Sequence, residues 1–193
     1  MSAGFPHRTS PRPDTGVTNV QLGVWLLIAS EVMLFAGLVS SDVLLRTGSQ
    51  DWPSDVLPVW PAVSETVMVL AAAWTTGRAW RVASERHTGT PRGWVAASAL
   101  LLTGALASVA VTWQGLLADG QGPREATVYA IFFALSGIFA LHLVGGLLAM
   151  LWALWPTTPE SSGFVAARLH GALLYQRFLA VVWLVLLLLL YVV

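Results

Sequence analysis

The chain has 193 residues, 56% of them hydrophobic and only 10% charged, with a mean hydropathy of +0.70. A soluble domain of this size carries about a quarter charged residues, so most of this chain is not built to face water. Ten Arg balance ten Asp and Glu with no Lys, and Cys is absent; no basic patch suggests nucleic acid, and disulfides, thiolate metal sites, Cys-ligated dinuclear copper and covalent c-type haem are excluded.

Residues 1–17 are rich in Pro, Ser, Thr and Arg and read as a flexible N-terminal tail. The apolar segment that follows is too long for a signal-peptide core and has no small-residue cleavage pattern behind it, so it is expected to be retained as a span. Five apolar segments follow, at about 20–45, 60–80, 93–117, 126–155 and 169–193. Each can cross a hydrocarbon core of ~30 Å as a helix rising 1.5 Å per residue. Runs of this length without alternation argue for helices rather than barrel strands. The expected fold is all-α: a single transmembrane domain, 18–193, made of five helices joined by short connections containing Pro and Gly. Several of the ten Trp fall near span ends, where amphipathic rings settle at the headgroups.

Arginine placement predicts the orientation. Arg8, Arg12, Arg78, Arg81, Arg86, Arg92 and Arg168 flank one side of the spans, against Arg46 and Arg124 on the other. By the positive-inside rule the N-terminus is cytoplasmic and the C-terminus extracytoplasmic.

Ionisable groups inside a membrane are functional candidates because they are costly there. Glu31 and His142 lie mid-span, Glu65 near the outer end of the second span, and Arg177 near the inner end of the fifth. Glu31 reads either as a protonated carboxyl bonded to a neighbouring helix or as a group acting on protons or lipid headgroups. His142 reads as a neutral imidazole donating to a backbone carbonyl or to Glu31, in preference to a metal ligand. Glu65 reads as a span-edge carboxylate reaching the outer interface, and Arg177 as an interfacial anchor whose partner is lipid phosphate. Gly137, Gly145 and Gly146 suit close helix packing. Of the four His, His7 is in the tail, His87 in a loop and His170 at a span edge. A membrane haem held by two imidazoles needs both to be deep, so this chain is expected to bind no haem or metal of its own.

Several motifs carry a likeness. Leu22-Gly23-Val24-Trp25-Leu26-Leu27-Ile28-Ala29-Ser30-Glu31-Val32-Met33-Leu34-Phe35-Ala36-Gly37 resembles the first shared helix of cytochrome c oxidase subunit III, with its Ser-Glu pair, aromatic residues and Gly. Asp51-Trp52-Pro53 and Pro61 resemble that family's Trp-Pro loop and the Pro opening the next helix. Phe132-Phe133-Ala134-Leu135-Ser136-Gly137 and Leu141-His142-Leu143-Val144-Gly145-Gly146 resemble its Phe-Phe, Thr-Gly and His-Gly-Leu-His signature. Val181-Val182-Trp183-Leu184-Val185-Leu186 and Tyr191 resemble its last helix. The likeness runs in order from about Thr18 and matches the short, five-helix bacterial form. Thr112, Phe139, His170 and Tyr175-Gln176-Arg177-Phe178-Leu179-Ala180 depart from the family's polar positions, while Glu31, His142 and Trp183 remain. The resemblance is that of a divergent member.

The resemblance implies a non-catalytic subunit of a haem-copper terminal oxidase in the bacterial cytoplasmic membrane. Haem and copper would sit in a partner catalytic subunit I, electrons would come from cytochrome c or quinol, and other oxidase subunits and phospholipid would be further partners. Two rivals stand beside it: the subunit III-like accessory protein of nitric oxide reductase, and a small proton or solute transporter using Glu31 and His142. No internal repeat of the kind common in transporters is visible.

Overall fold

In a computed structural model that describes residues 19–49, 52, 57–85, 90–154 and 162–191, each apolar segment forms one long helix: α1 (Asn19–Gly48), α2 (Val59–Ser84), α3 (Arg92–Ala118), α4 (Thr127–Leu154) and α5 (Ser162–Tyr191). Helices of 26 to 30 residues are roughly 40–45 Å long, enough to cross a bilayer with some tilt. The expected tail, 1–17, lies outside the described residues, as do Asp51 and Pro53 of the Trp-Pro loop, and Arg8, Arg12 and Arg86 of the orientation argument.

Helix ends follow local chemistry. Pro58 in extended backbone precedes α2, and Pro91 precedes α3, where a missing N–H costs nothing. Beyond α3, Gly120 takes φ +74°, with Gln121 N–H donating to Leu116 O at 2.8 Å and Gly120 N–H to Leu117 O at 3.2 Å. This is a Schellman stop, and it needs a residue that tolerates left-handed backbone.

Helix α2 packs against α3 and α5, α3 against α4, and α4 against α5, closing an up-and-down four-helix ring. Leu102, Phe139, Leu143, Leu173, Leu179 and Leu186 fill its centre. Helix α1 lies outside the ring, against α5 and, lightly, α4, and buries only Phe35 and Asp42. Asp42 is neutralised one turn on by Arg46, with both carboxylate oxygens 3.1 Å from Nε.

Four helices, α1, α3, α4 and α5, are long and apolar enough to cross a membrane. The second of the five expected spans, α2, falls short in composition because it carries Glu65, Thr75, Thr76 and Arg78. Its inward stripe, Ala62, Glu65, Val69, Ala72, Thr76 and Ala79, holds much of that polarity inside the ring. Buried hydroxyls there lie within hydrogen-bond reach of their own helix's carbonyls, Thr75 Oγ1 2.9 Å from Ala71 O and Thr76 Oγ1 2.9 Å from Ala72 O.

Helix α5 begins seven residues before the expected 169. Arg177 therefore stands midway along it rather than near its end, and His170 lies two turns inside rather than at an edge. His170 bonds Gln21 and stacks on Trp80 at 4.9 Å.

Candidate functional site

Glu31 and Phe35 lie one turn apart on α1 and face the middle of α4. There His142 Nδ1–H donates to Ile138 O at 2.7 Å, while Nε2 meets Glu31 Oε2 at 2.8 Å. A carbonyl only accepts, so Nδ1 carries a hydrogen. Nε2 and the Glu31 carboxyl form the link from α4 to α1. Each polar group thereby has a partner, which is the condition under which such groups persist in an apolar setting.

The pair is shielded but not sealed. His142 is 8% exposed and Glu31 20%. The Phe35 ring lies 5.0 Å from the imidazole and meets Phe178 edge-on at 6.2 Å. Tyr175 Oη–H donates to His142 O at 3.3 Å, which brings α5 into the same joint. Both imidazole nitrogens thus have protein partners. Among the described residues, no three His, Asp or Glu side chains gather as metal ligands would.

The remaining sequence-selected residues lie elsewhere. Glu65 does not reach the outer interface; it is 5% exposed because it falls on the inward stripe of α2. Trp183 is buried on α5, donating Nε1–H to Thr66 Oγ1 at 2.8 Å and lying 5.0 Å from the Phe139 ring at 32°. Arg177 is exposed, beside a recess shared with Arg78 and Arg81.

The glycines admit large neighbours: the position a Cβ would take is 3.0 Å from Tyr175 Oη at Gly145, 3.4 Å from Leu179 at Gly146 and 3.4 Å from the Trp113 ring at Gly137. Gly145 and Tyr175 also line an apolar groove of about 200 Å³ between α1, α4 and α5. Arg168 stands at that groove, its guanidinium 4.5 Å from the Trp152 ring.

A buried polar layer that the sequence does not reveal as one crosses the ring. Thr76 Oγ1 lies 2.8 Å from both Gln176 Oε1 and Ser98 Oγ, and Gln176 Nε2–H donates to Ser98 Oγ at 3.2 Å. All three are almost fully buried, and the layer ties α2, α3 and α5 together. The available signal was Gln176 itself, a lone amide within an apolar helix that needs partners wherever it is buried.

No protein-family model matches the chain. It is 29% identical over 173 residues to the cytochrome bo(3) ubiquinol oxidase subunit 3 of Pseudomonas putida, covering 88% of this chain and 83% of that one. It is 26% identical over 170 residues to the probable cytochrome c oxidase subunit 3 of Nocardia farcinica, covering 85% and 83%. With the cytochrome c oxidase subunit 3 of Thermostichus vulcanus it shares 24% identity over 179 residues, covering 89% and 86%. The part of the chain outside the first alignment is shorter than any one of the five helices, so each contributes to the likeness.

Proposed function

Because the chain is a divergent member of the subunit 3 family of the cytochrome c and cytochrome bo(3) oxidases, we propose that it is the non-catalytic subunit III of a haem-copper terminal oxidase, the class that reduces dioxygen to water. The observation that carries this is the collinear likeness to oxidase subunits over 85% or more of the chain. Haem and copper belong to the partner catalytic subunit, in keeping with an imidazole at His142 whose two nitrogens are both engaged. The chain lies in the bacterial cytoplasmic membrane with all five helices crossing it, N-terminus inside and C-terminus outside. Helix α2 crosses within the ring, where its polar side chains find partners.

Its work is physical. Trp25, Leu26, Met33 and Leu44 on α1 present exposed apolar surface to lipid or to neighbouring oxidase subunits. The groove between α1, α4 and α5 has the apolar wall that a phospholipid acyl chain fills, with Arg168 near a headgroup. Such a lipid-lined surface also suits passage of a nonpolar gas toward the catalytic subunit. The Glu31–His142 pair and Trp183 hold helices in place rather than react.

Affinity purification of the full chain from its native membrane tests this. A haem- and copper-bearing large subunit is expected to co-purify, and a chain isolated without any haem protein would refute the proposal. Glu31→Ala or His142→Ala is expected to weaken assembly or sustained turnover and to leave every haem band in the complex's spectrum. Proton or solute flux through the isolated chain in liposomes would favour a transporter instead.

A further inference from the structure

Helix α2 carries Arg78 and Arg81 one turn apart near its C-terminal end, and α5 brings Arg177 to the same place. The three side chains line a recess of about 210 Å³ whose remaining walls include Gly77, Leu173 and Trp80. All three arginines are exposed, and none forms an ion pair with a carboxylate among the described residues. Arg78 is held in position, its guanidinium 5.4 Å from the Trp94 ring, which Trp74 in turn meets edge-on at 5.6 Å. Gly77 lines the recess without a side chain of its own. A Cβ there would stand in ordinary contact with Leu173, 3.7 Å away, and a longer side chain would enter the space.

Three guanidinium groups around one recess repel each other, and they do so more strongly where lipid lowers the local dielectric. An anion between them relieves that repulsion. The planar forks of Arg match phosphate oxygens two at a time, and amphipathic Trp rings sit well beside a headgroup. We propose that Arg78, Arg81 and Arg177 form a binding site for a phosphate group, carried by a phospholipid headgroup or free in the water at that face. The site is separate from the groove between α1, α4 and α5. It rests on the membrane-embedded, lipid-holding part of the function proposed above and not on the identity of the catalytic subunit.

The test uses the full chain with whatever co-purifies, delipidated in a non-ionic detergent. Phosphatidylglycerol, phosphatidylcholine and inorganic phosphate are titrated separately, and bound molecules are counted by native mass spectrometry. Phosphatidylglycerol binding is expected to weaken at least tenfold in the triple variant Arg78→Gln, Arg81→Gln, Arg177→Gln. The same loss is expected in Gly77→Leu, which fills the recess, keeps every charge and favours the helix. Arg124→Gln, an exposed arginine remote from the recess, should change nothing. Circular dichroism checks that each variant keeps its helices. Phosphatidylglycerol that inorganic phosphate does not displace identifies a lipid source; inorganic phosphate bound with the same variant dependence identifies a free one, and either upholds the site. Equal binding of all probes by wild type and both variants would overturn it. So would a triple variant that keeps its lipid but sheds the co-purifying large subunit, because the arginines would then be docking protein carboxylates. A wild-type chain that binds phosphate but brings no haem subunit would refute the oxidase proposal and leave this one standing.

Discussion

Helix α1 is the weakest-held element, with only Phe35 and Asp42 buried, so the Glu31–His142 contact should carry a measurable share of its attachment. A double-mutant cycle isolates that share. Interhelical hydrogen bonds in membranes contribute about 0.6 kcal/mol on average and up to about 1.7. A 2.8 Å contact that is mostly shielded belongs near the top of that range, so a coupling of about 1–1.5 kcal/mol is expected between Glu31→Ala and His142→Ala. His142→Ala alone should cost more than Glu31→Ala. It loses the ring contact with Phe35 as well and leaves the carboxyl unpartnered, for a total of about 2–3 kcal/mol. Glu31→Gln should cost under about 0.5 kcal/mol, because its amide N–H can still donate to Nε2. Unfolding in mixed micelles titrated with dodecyl sulfate, followed by circular dichroism, measures all four corners. The chain has no Cys, so a single thiol at Leu38, partly buried against the core, reports detachment of α1 by its labelling rate. Strictly additive single variants, with coupling below about 0.3 kcal/mol, would show that the pair does not hold the helix.

Other perturbations probe the ring itself. Gln176→Leu should cost only about 1 kcal/mol, because Thr76 and Ser98 keep Ala72 O as an acceptor at 2.9 and 3.2 Å. Gln176→Glu should cost more, since the new carboxyl must be buried as an ion or take up a proton; the same unfolding titration ranks the two. Trp183→Phe removes the donation to Thr66 and keeps the ring on Phe139, for about 0.5–1.5 kcal/mol, whereas Trp183→Ala should lose about 3–5. At Gly171, a Cβ would stand 3.1 Å from Val20 Cγ1 and 3.3 Å from Val24 Cγ2. Gly171→Leu should therefore push α1 outward and speed labelling at Leu38→Cys without melting the α2–α5 ring; unchanged labelling would contradict that packing.

The sequence by itself determined that there would be long helices and roughly where they lie, because desolvating a backbone over some twenty apolar residues permits little else. It also singled out Glu31 and His142, since ionisable groups far inside apolar runs stand out against their surroundings. What it could not determine was direction. In water a helix shows its buried side as an apolar stripe, but lipid is as apolar as a protein core, so inward and outward faces read alike. Position along the chain accordingly suggests an interfacial Glu65, whereas helix phase turns it inward. Thr76, Ser98 and Gln176, far apart in the chain, became one layer only when three helices met. Arg78 and Arg81 stand in the sequence only as orientation markers, and their gathering with Arg177 around one recess is likewise a product of packing. Summed hydropathy locates a helix along the chain, and only its neighbours decide which of its polar groups face each other.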